Sequence, residues 1–198
     1  MRTLWLGAAL TAALGFVASA ATQVTHTKNS GLYLTGADFQ EGRVAYEGDC
    51  GSKAHKLELH DVLRKSYIHV THEGAKKRFG KTELFGFRAC NGRDYRFVVN
   101  LEYQILEAKD LYIYRREVLV SHGRGSHGVK KYFFSLGPGG EVRELTLENL
   151  KKIFPDNRAF HLSLDESFGA GQKLSEYDEG YQMFKVNRLL IASREVRP

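Results

Sequence analysis

The sequence predicts an α+β fold: an antiparallel β-meander, curled or sandwich-like, followed by two or three C-terminal helices. Three observations predict it. From about residue 32 to residue 145 apolar and polar side chains alternate at the period of strands. The connections between these runs are too short for the crossovers that parallel strands need. After Leu145 the apolar spacing lengthens to that of a helix face. Strands first and helices last is the order of α+β chains rather than of alternating α/β ones.

The elements follow in chain order. Met1-Arg2, the apolar run Leu4 to Val17 and the small residues Ala18-Ser19-Ala20 have the make-up of a secretory signal peptide over residues 1–20, cleaved after Ala20. The run is shorter than the ~20 residues of a spanning helix, and no cysteine follows the cleavage point to carry a lipid. Residues 21–198 are then expected to form one domain outside the cytoplasm, with residues 21–31 as a polar lead-in. Tyr67 to His72 is β-rich, and Glu73-Gly74 can turn the chain. Leu84 to Ala89 leads into Asn91-Gly92, a strong hairpin signal, with Tyr95, Phe97 and Val99 alternating beyond it. Leu101, Tyr103 and Ile105 form another strand, and Leu111 to Tyr114 the next. Val118 to Val120 and Val129 to Leu136 are two further strands, and Gly137-Pro138-Gly139-Gly140 is a turn.

Beyond Leu145, Thr146 is placed to cap a helix carrying Leu147, Leu150 and Phe154, which Pro155 ends. Asn157 is placed to cap a second, with Phe160, Leu164 and Phe168 on one face. A third is expected from near Ser175, with Tyr177, Tyr181, Phe184 and Ile191 as its stripe.

Composition fits this. The chain has 198 residues, 42% of them hydrophobic and 26% charged, with 12 Phe and 10 Tyr. That excludes a disordered, collagenous or disulfide-dense chain. The two cysteines, Cys50 and Cys90, have no third thiol to compete and are expected to form a disulfide in an oxidising compartment. Neither stands in a C-x-x-C motif, so redox chemistry has no support.

Candidate sites are few. Gly123-Arg124-Gly125-Ser126-His127-Gly128 has the letters of a dinucleotide fingerprint, but strand leads to strand there and no helix N-terminus is available for a pyrophosphate. No cofactor is expected. His122 and His127 bracket the same loop and are the candidate metal ligands, although zinc asks for three or four and no acidic or Cys ligand is near in sequence. His69 and His72, three apart on a strand, point to opposite faces. His26, His55, His60 and His161 show no ligand spacing. No nucleophile elbow occurs, since Arg124 stands where the motif needs Gly before Ser126.

The net charge of +6, or +5 once Arg2 is lost with the leader, comes partly from small clusters: Lys76-Lys77-Arg78, read as a hairpin turn, Arg115-Arg116, Lys130-Lys131 and Lys151-Lys152. Tyr112 and Tyr114 with Arg115 and Arg116 are the candidate binding residues. In an exported protein this charge favours acidic glycan or lipid headgroups over nucleic acid.

Lys81 to Arg88, Asn91 to Phe97, Leu145 to Asn157, Tyr177-Asp178 and Phe184 to Arg188 together resemble a family of small exported proteins of the Bacteroidota. The likeness spans about residues 38–193. It implies export and a shared fold; the family carries no established activity, so it assigns no site residue. The function expected is that of a non-catalytic accessory protein of the envelope or periplasm that binds a surface ligand or a protein partner. The alternatives are an exported hydrolase whose residues meet only in the fold, and a metal-binding protein at His122 and His127.

Overall fold

A computed structural model describes residues 28–60, 65–122, 125–169 and 171–195. The leader expected at residues 1–20 lies outside them. The fold is α+β, as the periodicity indicates. Its main sheet has eight strands in the order β11-β10-β9-β8-β7-β6-β1-β2. These are β1 (Asn29–Tyr33), β2 (Ala45–Asp49), β6 (Gly86–Arg88), β7 (Asp94–Val98), β8 (Leu101–Ala108), β9 (Leu111–His122), β10 (Gly125–Leu136) and β11 (Arg143–Glu144). Every pairing in it is antiparallel.

The expected meander holds from β6 to β11, with turns where the glycines are: Gly92 and Gly137 have φ of 76° and 66°, a region glycine enters without steric cost. Between β2 and β6 the chain leaves the main sheet. It forms a second, three-stranded sheet of β3 (Lys56–Glu58), β4 (Tyr67–His72) and β5 (Ala75–Gly80). Lys76, Lys77 and Arg78 are therefore strand residues, and the turn is Glu73-Gly74 before them. The segments 111–114 and 118–120, expected as separate strands, are one 12-residue strand.

Three C-terminal helices follow. Thr146 caps α2 (Leu147–Ile153) by accepting from the Asn149 N–H, and Asn157 caps α3 (Arg158–Phe168) by accepting from the Phe160 N–H. The last helix, α4 (Lys185–Glu195), starts later than the apolar spacing predicts. The Asp178 carboxylate accepts from the N–H groups of Gly180 and Tyr181, and this local turn makes a hairpin of β12 (Tyr177–Asp178) and β13 (Met183–Phe184) where helix was expected. A short helix, α1 (Gly36–Gln40), was not expected. Thr35 and Asp38 close a reciprocal capping box at its start.

Alternation along the strands divides the core. Leu111, Ile113 and Phe134 meet Leu150, Phe160, Leu164, Phe168, Val186 and Leu190 of the three C-terminal helices. Leu32, Phe87 and Phe97 of the main sheet meet Ile68 and Val70 of the small one, so β3–β5 has an inward apolar face and an outward polar one. A third cluster holds Tyr103, Tyr112 and Tyr114, with Phe39 of α1 packed against them.

Candidate functional site

The polar face of the small sheet is where chemistry-bearing side chains converge. Cross-strand partners share a face, and the register pairs Lys56 with Thr71, Glu58 with His69, His69 with Arg78 and Thr71 with Lys76. With Ile68 and Val70 turned inward, the outward positions are Lys56, Glu58, Tyr67, His69, Thr71, Lys76 and Arg78. His60 lies just past β3, two residues from Glu58, with φ of 57°. Its Nε2 is 3.0 Å from His69 Nδ1. Glu58 Oε2 stands 3.8 Å from that same His69 nitrogen and accepts from Lys76 Nζ at 2.7 Å, while Glu58 Oε1 lies 3.2 Å from Lys56 Nζ.

The Tyr67 ring lies beside both imidazoles, its centroid 5.5 Å from that of His60 and 5.2 Å from that of His69. The Arg78 guanidinium sits 4.0 Å above Tyr67, and Lys65 Nζ is 5.4 Å from it. The ammonium groups of Lys76 and Lys56 hold the Glu58 carboxyl down to about 2. His69 is pushed below its ordinary range by desolvation first, then by Lys76 and His60. The face thus presents neutral imidazole beside an ionised carboxylate, ringed by cations.

A second constellation lies on the inner side. His55 is 6% exposed, with Nε2 2.9 Å from the Ser30 hydroxyl. The ring rests over Gly48, where a Cβ would come within 2.5 Å of its atoms. Ser30, His55, Leu57 and Phe87 line a cavity of about 200 Å³, together with Cys50 and Cys90. These two cysteines are disulfide-bonded as expected, with Cα atoms 5.8 Å apart. The serine–histidine contact is not an assembled nucleophile: Ser30 is 1% exposed and, among the described residues, His55 Nδ1 has no hydrogen-bond partner, whereas a catalytic triad needs an acid at that nitrogen.

The four residues read from sequence as binding contacts are spread over two faces. Tyr112 and Tyr114 are 4% and 0% exposed, built into the core. Arg116 reaches the Tyr103 hydroxyl at 3.0 Å, while Arg115, on the opposite face, donates to Gln104 at 2.7 Å. Alternation says that the two tyrosines share a face, and Phe39 of α1 and Val142 are among the side chains that pack on it. His127 is exposed and pairs with Val120, while His122 pairs with Gly125; the side chain of His122 lies outside the described residues.

Sequence reading missed Glu58 with His60 and His69. The available signals were two alternations, Glu58-Leu59-His60 and Tyr67-Ile68-His69, each placing polar residues on one side of an apolar one. What joins them is strand register. Compared with known protein families, curated proteins and solved structures, the chain matches none. Among the described residues no helix is long and apolar enough to cross a membrane.

Proposed function

We propose that the chain is an exported, non-catalytic accessory protein of the cell envelope and that the outward face of β3–β5 docks an acidic polysaccharide. The observation that carries this reading is the face itself. Lys56, Lys76 and Arg78 stand on its strands against one strand carboxylate, Glu58, and Tyr67 lies among them with Lys65 and Arg78 over its ring. Clustered cations on a face raise the local concentration of polyanions and speed encounter. The Cys50–Cys90 disulfide supports export, because such bonds persist in oxidising compartments. The N-terminal leader composition and the resemblance to small exported proteins point the same way.

The test is titration of the protein with polygalacturonate at low ionic strength. Binding that weakens as salt is raised, and by about tenfold or more in Lys76→Glu/Arg78→Glu, is the expected result. No binding, or binding unchanged in that variant, overturns the assignment. Tighter binding to vesicles containing phosphatidylglycerol than to the polysaccharide moves the ligand class to lipid headgroups.

A further inference from the structure

Glu58, His60 and His69 bring one carboxylate oxygen and two imidazole nitrogens within 4.8 Å of one another, each residue half-buried. From this geometry we propose a binding site for a divalent transition-metal ion, zinc or copper, a property separate from polysaccharide docking. The His60 Nε2 to His69 Nδ1 separation of 3.0 Å carries the argument. Two nitrogens about 2.0–2.1 Å from one ion, at angles between a right angle and the tetrahedral angle, stand about 2.9–3.4 Å apart. The imidazoles are therefore already at chelating distance. Without metal that distance is a hydrogen bond in which one ring donates its N–H to the other; an ion binds when the donor ring takes its other tautomer, with the proton on its far nitrogen, so that both facing nitrogens offer lone pairs.

The third ligand needs a movement. Glu58 Oε2 is 3.8 Å from His69 Nδ1, and the three ligand atoms lie within 4.8 Å of one another, so the carboxylate must shift by up to about 1 Å to share an ion with both imidazoles. The lysines that hold it are half or more exposed, the side chains of Lys56 and Lys76 being 67% and 52% exposed, so they can follow the carboxylate into solvent as it moves. Tyr67 against both rings limits their rotation and keeps the two nitrogens facing each other, the orienting role that outer groups play around metal ligands. Two imidazoles and a carboxylate suit zinc and copper and are a poor match for calcium or magnesium, which take oxygen ligands. The surrounding cations oppose an added double charge, so the ion at the top of the stability series, copper, is expected to bind more tightly than zinc.

The experiment titrates the full chain with Cu²⁺ and with Zn²⁺ in a non-coordinating buffer by calorimetry, and records the Cu²⁺ paramagnetic resonance spectrum. One ion per chain is expected, with nitrogen splitting from two imidazoles. Affinity should fall about tenfold or more in His60→Gln, His69→Gln and Glu58→Gln, and should persist in His122→Gln/His127→Gln. Melting of each metal-free variant identifies one that fails to fold. His60→Gln, which changes a residue beyond the end of β3, decides the matter if the His69 variant does. Absence of binding, binding intact in folded His60→Gln, or loss only in the His122/His127 variant overturns the site.

Discussion

Asn187 of α4 holds both backbone groups of Leu111, the first residue of β9. The Leu111 N–H donates to Asn187 Oδ1 at 2.8 Å, and Asn187 Nδ2 donates to the Leu111 carbonyl at 2.9 Å. The same amide also donates to the Glu107 carboxylate, which accepts from the Phe184 N–H at 3.1 Å. One fully buried side chain thus ties the last helix to the start of the longest hairpin. Asn187→Leu keeps the branched shape, with two methyl groups in place of the amide, and strands those groups away from water. Each buried orphan costs ~1–3 kcal/mol, so a loss of about 3 kcal/mol in urea unfolding is expected. A loss below about 1 kcal/mol would mean that the interface relaxes to let water in.

Lys81 is expected to show the asymmetry of buried ion pairs. Its side chain is 1% exposed, and Nζ lies 2.8 Å from Glu102 Oε1 and 5.5 Å from the Phe97 ring. Glu102→Ala leaves an ammonium in the core and should cost ~3–5 kcal/mol, while Lys81→Met/Glu102→Leu should restore most of that stability. Chemical denaturation of the single and double variants tests this. Equal losses in both would show that the pair is worth more than an apolar replacement.

These two contacts show what could be read from the sequence and what could not. Thr146 and Asn157 cap their helices through groups three residues away, so local spelling suffices, and the alternation from β6 to β10 gives strands without any tertiary knowledge. The start of α4 was misread because an aromatic stripe at helical spacing competes with a turn at Asp178, and the turn wins by pairing two N–H groups at once. The cover over Tyr112 includes Phe39 of α1, a five-residue helix with no apolar period of its own, and the Tyr114 hydroxyl is met by Arg96 and Ser135, partners from distant strands. The histidine–carboxylate cluster depends on β3 pairing with β4, a register that separates Glu58 from His69 in sequence and joins them in space. Long-range partners such as Asn187 and Glu107 are of the same kind.

The disulfide should account for a large share of stability. It closes a separation of 40 residues and ties the end of β2 to the end of β6, beside the strands that carry the small sheet. Loop-closure entropy of that size corresponds to ~3–4 kcal/mol. Cys50→Ala/Cys90→Ala should lose about that much in denaturant, and the intact protein should show the same loss on reduction. A change smaller than about 1 kcal/mol would mean that the unfolded chain is already compact around this loop.

Gly48 is expected to tolerate no side chain, because an added Cβ would meet the His55 ring at 2.4–2.5 Å. The ring cannot retreat without giving up its hydrogen bond to the Ser30 hydroxyl at 2.9 Å. Gly48→Ala should therefore cost ~1–3 kcal/mol, in the range of overpacked cores. Thermal melts in which Gly48→Ala equals the parent would show that the loop carrying His55 moves freely.

His55 should also make stability depend on pH. Burial, and next the neighbouring His72, push its pKa below the ordinary histidine range, against the opposing pull of Ser30 and Asp49. The unfolded chain binds the proton at about 6.5, so around and below that pH it holds more protons at this position than the folded protein does. The contribution of neutral His55 is then complete above the unfolded value. It declines as pH falls through that value, and levels off only below the folded one. Melting temperatures followed from about pH 8 to about pH 5 should fall more steeply in the parent than in His55→Asn, which keeps a polar group near Ser30 and does not titrate. The difference between the two curves isolates this residue from His69, which is also depressed and remains in both proteins. Parallel curves would mean that the buried ring takes up its proton without penalty, which Nδ1, enclosed over Gly48 and unpartnered among the described residues, argues against.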